Sequence, residues 1–135
     1  KGLPFYRDQV MHVETLPPRA GEFVELSDLA VEIAPCVLEA LQKSKGISRL
    51  FRHQADAIDA AVGHGMHVAL STGTSSGKSV AFNVPVLHRL VEQPDAVAIY
   101  LFPTKALAQD QLGSFQGLIG GSPALESSVL PLTVD

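Results

Sequence analysis

One cysteine, Cys36, stands in the 135 residues. Neither a disulfide framework nor a cysteine-ligated zinc site can therefore form within the chain, and a reduced compartment is the expectation. Positive charge is also scarce. Lys and Arg number 10 against 14 Asp and Glu, for a formal net charge of −4, so the basic footprint of a free-standing nucleic-acid binder is missing. Any strand binding has to come from a local surface or from parts of the protein outside this chain. No apolar run approaches the length of a membrane span, and no basic segment followed by an apolar one marks a signal peptide. Internal repeats and low-complexity tracts are absent too. A first residue of Lys1 without methionine reads as a piece of something longer. The chain does have apolar content: 46% hydrophobic residues and a mean hydropathy of +0.20. That suits one folded domain with a real core.

The most informative segment is Thr72-Gly73-Thr74-Ser75-Ser76-Gly77-Lys78-Ser79. It follows the apolar run Met66–Leu70 and precedes an apolar-periodic stretch from Val80 to Val91. A strand, a Gly/Ser-rich turn and a helix are what a phosphate-binding loop requires, because backbone N–H groups and the helix's positive end converge on one anion. In such a loop Lys78 reaches the outer phosphates of ATP and the Ser79 hydroxyl helps hold magnesium. Thr72 occupies the place where the strict pattern has glycine, a departure common among nucleic-acid-dependent ATPases. The bland alternative is an ordinary polar strand-to-helix turn.

Around this segment the chain divides into an extension, an α/β core and a ragged end. Gln9–Val13 suits a short strand, broken by Leu16-Pro17-Pro18-Arg19. Ser27 is a plausible cap for a helix from Asp28 to Lys43; Pro35 interrupts that pattern, which leaves two shorter helices as the alternative, and Lys45-Gly46 ends it. A second helix is predicted over His53–Val62, burying Ala55, Ile58, Ala61 and Val62. After the loop, a helix runs from Lys78 to Val91 with Pro85 inside it, where a bend is expected. Ala96–Phe102 is nearly all apolar, as a central strand covered on both faces would be. Thr104 caps the next helix, which runs to Leu118. Gly120–Pro123 reads as a loop, and Ser128–Val134 as the start of a third strand. Strand and helix alternating at this spacing predict a parallel sheet with crossover helices.

Two more segments carry chemistry. Gln54, 24 residues before Lys78 in Leu50-Phe51-Arg52-His53-Gln54-Ala55, offers an amide that matches the edge of adenine. Phe51 or Arg52 is available to cover the ring, although an exposed glutamine at a helix start is the plainer reading. Downstream, Phe102-Pro103-Thr104-Lys105-Ala106-Leu107-Ala108-Gln109-Asp110-Gln111 begins at the carboxyl end of a predicted strand, where open α/β sheets bind ligands. Thr104, Lys105 and the helix-start N–H groups suit a phosphate backbone gripped without base reading; a well-capped surface helix is the alternative. The five histidines read as turn or surface residues, Cys36 as a small core residue, and Asp56 and Asp59 as solvated helix positions.

Taken in order, these three blocks resemble the first motor domain of superfamily-two DEAD/DEAH-box helicases. Their spelling, with Gln9–Glu14 and Phe51–Ala55, is similar to the RecQ-related DNA helicases of the RecQ-four type; the likeness runs from Tyr6 to Gln111. The resemblance implies a RecA-like P-loop α/β fold over 46–135, incomplete here, with residues 1–45 as an extension packed on the motor. It implies ATP and magnesium as cofactors, with Gln54 on adenine, Thr72 through Gly77 around the phosphates, Lys78 on the β- and γ-phosphates and Ser79 on the metal. Pro103, Thr104 and Lys105, with Gln109 nearby, would touch single-stranded or partly duplex DNA unwound 3′ to 5′. A second motor domain is expected outside this chain, no membrane is involved, and the location is nuclear in a eukaryote and cytoplasmic otherwise. No Asp-Glu pair occurs in the sequence, so the acidic box that completes the magnesium site is expected beyond it and the piece alone should be inactive. An RNA-directed helicase and a non-catalytic nucleotide-binding lobe are the alternatives, with a small-molecule kinase a poor fourth.

Overall fold

The computed structural model describes residues 22–71 and 77–134. The predicted strand Gln9–Val13 and the loop residues Thr72, Gly73, Thr74, Ser75 and Ser76 lie outside the described residues. In chain order the elements are β1 (Phe23–Glu25), a 3₁₀ turn (Leu26–Asp28), α1 (Pro35–Lys45), β2 (Arg49–Phe51), α2 (Arg52–Ile58), a π-turn (Asp59–Gly63), α3 (Lys78–Glu92), α4 (Lys105–Ile119) and α5 (Pro123–Ser128).

Proline explains where α1 begins. The predicted helix from Asp28, interrupted at Pro35, is corrected: Pro35 opens the helix. Its fixed φ fits the first turn, and its missing N–H would have had no partner there. Ser27 caps no long helix and instead lies in the 3₁₀ turn. Gly46, in the left-handed region at φ 63, closes α1: its N–H donates to Gln42 O at 3.0 Å, and the N–H of Ile47 donates to Leu41 O at 3.1 Å. α2 ends four residues earlier than predicted, passing into the π-turn at Asp59, and Ala61 and Val62 are only half-buried. α3 continues through Pro85 without a break, although proline has no N–H for the carbonyl of Ala81. Thr104 caps α4 as predicted, its Oγ1 accepting from Leu107 N at 3.1 Å. α5 fills the stretch between the predicted loop Gly120–Pro123 and the predicted strand from Ser128, taking one residue from each; here Pro123 again occupies a first helical turn.

One core joins residues on both sides of position 45. Val37, Ala40 and Leu41 of α1 have no exposed surface and meet Leu50, Ile58, Val84, Leu87, Leu118 and Leu125 in a single cluster. α2 packs along α3, while α1 packs against α3, α4 and α5. Gly121 permits the close approach of α1 to the turn before α5. A Cβ there would lie 2.8 Å from Ala40 O and 3.0 Å from Ser44 Cβ.

The predicted parallel sheet is not formed among the described residues. Their only sheet is the antiparallel pair of β1 and β2, with Phe23 opposite Phe51 and Glu25 opposite Arg49. Met66–Leu70, Ala96–Phe102 and Val129–Val134 carry no ladder. Alternation is nonetheless present in the second of these. Tyr100 and Phe102 are half-buried, whereas Val97, Ile99 and Leu101 are 86%, 82% and 89% exposed. An apolar run specifies which residues face inward, but a ladder needs a neighbouring strand at about 4.8 Å. The single predicted central strand therefore has one face on helices and the other bare.

Asp59 is not simply solvated. Its Oδ1 is buried without a hydrogen-bond partner among the described residues. Burial first, and Asp56 second, push its carboxyl above the usual carboxylate range, against a backbone hydrogen bond from Val31. The raised acid favours the protonated fold, so this group's contribution to stability declines as pH rises from 3.8 through its folded value. Asp59→Asn should therefore raise the melting temperature at neutral pH and remove this group's pH-dependent contribution above pH 3.8. A lower neutral-pH melting temperature than the parent's would contradict this. Separately, Gly121→Ala should cost about 1–3 kcal/mol in urea unfolding, because overpacking against backbone cannot relax by rotamer change.

Candidate nucleotide-binding site

Gly77 ends the loop and caps α3 in the left-handed region, φ 70 and ψ 34, with no side-chain cap on the helix. Only glycine takes that conformation cheaply. The next two residues, Lys78 and Ser79, form the first turn of α3 and are half-buried. Their backbone lies at the positive end of a 15-residue helix, where an anion is favoured.

Gln54 is brought to the same place from the other side. It is 5% exposed, and its amide is spoken for at both ends. Oε1 accepts from Phe51 N at 2.8 Å, which satisfies a donor at the start of α2. Nε2 donates to Gly77 O at 2.8 Å. The carbonyl of Gly77 also accepts from Val80 N at 3.2 Å, so both its lone pairs are used. The glutamine thus ties the first turn of α2 to the hinge residue of the loop. A Cβ on Gly77 would come within 2.5 Å of Gln54 Nε2, so a side chain there would have to displace the Gln54 amide as well as adopt a strained conformation.

Phe51 is 40% exposed and engaged in a surface stack. Its ring lies 5.0 Å from that of Phe23 and 5.6 Å from that of His53, and Arg49 covers the Phe23 ring at 4.0 Å. Arg52 pairs with Glu22 at 3.6 Å. Pro103, Thr104, Lys105 and Gln109 are all exposed at the start of α4, with Gln109 one turn beyond Lys105 on the same side. The Thr104 hydroxyl accepts from Leu107 N and keeps its own hydrogen to donate.

His88 departs from the surface reading. Its Nδ1 accepts from Ala34 N at 3.1 Å, joining α3 to the start of α1. Among the described residues no group of three His, Cys, Asp or Glu could hold a metal ion, and no helix is long and apolar enough to cross a membrane.

Asn83 and Tyr100 escaped the sequence reading. Asn83 lies on the buried stripe of α3 with Val84 and Leu87, 5% exposed, and accepts from the Tyr100 hydroxyl at 2.9 Å. The signal was present: a polar residue three after Val80 and four before Leu87 falls on the apolar face, where burial demands a partner.

A left-handed glycine at a helix start, followed by Lys and Ser, is how a phosphate-binding loop ends, and the family match places the chain in the P-loop α/β class. Residues 51–130 match the family described as DEAD/DEAH box helicase, and the chain belongs to that family. It is 35% identical to the ATP-dependent helicase HRQ1 of Saccharomyces cerevisiae over 96% of this chain and 11% of that protein. To the ATP-dependent helicase hrq1 of Schizosaccharomyces pombe it is 42% identical, over 90% of this chain and 11% of the relative. The ATP-dependent DNA helicase Hel308 of Pyrobaculum calidifontis shares 36% identity over 68% of this chain and 12% of its own length. The chain thus spans about a tenth of the length of these relatives. No solved structure matches it.

Gly77→Ala tests the loop's geometry. The left-handed backbone alone should cost about 1–2 kcal/mol, and displacing Gln54 adds to that. Thermal unfolding should show the loss, whereas Gly113→Ala, with open space around its Cβ, should be neutral or stabilising. Equal effects at the two glycines would refute the constraint.

Proposed function

We propose that this chain is the nucleotide-gripping part of the first motor domain of an ATP-dependent DNA helicase. The observation that carries the reading is the junction at Gly77, where a left-handed hinge, the start of α3 and the Gln54 amide meet. The residues present fit a nucleoside triphosphate with magnesium. A helix start without a side-chain cap leaves room for an anion, Lys78 supplies positive charge and Ser79 supplies a hydroxyl for the metal. Thr72 through Gly77 would wrap the phosphates. Gln54 would serve adenine with the one N–H and one lone pair that its two hydrogen bonds leave over. ATP supplies the free energy when bound; the chain's own residues bind and orient it.

Pro103, Thr104, Lys105 and Gln109 would form the contact with the DNA strand. Their exposure and the free hydroxyl hydrogen of Thr104 support that role, and the name of the Hel308 relative supports DNA. In this reading Met66–Leu70, Ala96–Phe102 and Val129–Val134 are parallel strands of a RecA-like sheet with α3 and α4 as crossovers. The alternation at Val97, Ile99 and Leu101 supports it. Residues 1–45 would be an extension packed on that domain, and a second motor domain would complete the machine.

Lys78→Ala should weaken binding of a fluorescent ATP analogue by at least about tenfold, the worth of one charge-assisted contact. In the full-length protein it should also abolish ATPase activity stimulated by single-stranded DNA. Equal binding by parent and variant would show that the triphosphate lies elsewhere.

A further inference from the structure

α3, which begins at Lys78, is joined to the segment that ends at Thr104 by one side-chain hydrogen bond. The Tyr100 hydroxyl donates to Asn83 Oδ1 at 2.9 Å. Asn83 is 5% exposed among Ala81, Val84 and Leu87. It stands five residues after Lys78, about 7.5 Å along the helix, and Tyr100 stands four residues before Thr104. The Tyr100 ring also lies 5.9 Å from Phe82 of α3, 5.9 Å from Phe115 of α4 and 6.1 Å from Phe102. One side chain therefore touches the helix that follows the phosphate loop, the helix that starts at Lys105 and the segment between them. Burial pushes the phenol well above its ordinary value, so it remains a donor across the physiological range.

An apolar pair would fill this space without the desolvation of an amide and a hydroxyl. What the polar pair adds is direction. Packed rings tolerate sliding, whereas an O–H···O bond weakens steeply with displacement and misalignment. A shift of α3 must then either carry residues 100–104 with it or leave a buried amide unsatisfied.

We propose that the Tyr100–Asn83 hydrogen bond is the positioning link that couples the nucleotide loop at Lys78 to the strand contact at Thr104 and Lys105. This inference rests on the functional reading given above. Neither residue touches nucleotide or DNA in that reading; both act through the elements that carry the contacts.

The test measures affinity of the full-length protein for a fluorescent ATP analogue with and without an oligo-dT strand. Parent, Tyr100→Phe, Asn83→Ala and the double variant are compared, with melting temperatures alongside. The parent should bind the nucleotide about fivefold more tightly, or better, when the oligonucleotide is present, the usual scale of coupling between sites. Tyr100→Phe keeps the ring packing and should bind each ligand alone as the parent does, while the enhancement falls to about one. The double variant should lose no more enhancement than either single, since both remove the same bond. Full enhancement in Tyr100→Phe overturns the proposal, as does a parent that binds both ligands with no enhancement. A parent that binds neither ligand overturns the functional reading beneath it, an outcome distinct from those two. A loss of melting temperature without loss of enhancement would make the bond structural only.

Discussion

The described fold hangs on the buried face of α1. Val37, Ala40 and Leu41 are fully enclosed, and three helices from the later part of the chain, α3, α4 and α5, pack on that one surface. Pro35 fixes where the helix starts, and Gly46 fixes where it stops and turns toward β2. α2 then follows β2 without an intervening loop, so the position of Gln54 is set by the register of a three-residue strand. The fold and the site meet in that sequence of constraints. The core places α1, α1 and its turn place α2, and α2 holds the glycine that begins α3.

The junction at Gly77 is built from neutral hydrogen bonds. Gln54 spends both ends of its amide on backbone, and Gly77 spends both lone pairs of its carbonyl on Gln54 and Val80. Positive charge at the site comes from Lys78 and from the start of α3. This division suits a chain with net charge −4, because an anion can be favoured locally while the surface as a whole stays acidic. Lys105 adds a second local cation at the start of α4.

Much of this was legible in the residues. The Gly-Lys-Ser spelling before an apolar-periodic stretch announced α3, Thr104 announced the cap of α4, and Lys45-Gly46 announced the end of α1. These signals are local, since a cap or a left-handed glycine depends on a few neighbouring residues. Pro35 was read as an interruption, and two shorter helices stayed open, because the same proline breaks a helix from inside and starts one from its first turn; only the helix start distinguishes the two. α5 was missed because Gly-Gly-Ser-Pro spells a loop as readily as the approach to a short helix. Of the two partners of the Gln54 amide, Phe51 N is local, but Gly77 was illegible for another reason. Gly77 lies 23 residues away, and a side chain's partner across such a gap is a property of packing. For the apolar runs, inward and outward faces could be read, but pairing could not, since a ladder belongs to two strands.

Val97, Ile99 and Leu101, with Leu130, Leu132 and Val134, leave six large apolar side chains mostly in water. Burying a side chain of this kind is worth about 1.5–3 kcal/mol, so the six together hold roughly 9–18 kcal/mol in reserve, comparable with the whole stability of an ordinary domain. Covering these side chains would rival the existing core as a source of stability. The melting behaviour of this polypeptide is therefore a property of its company as much as of its own interior.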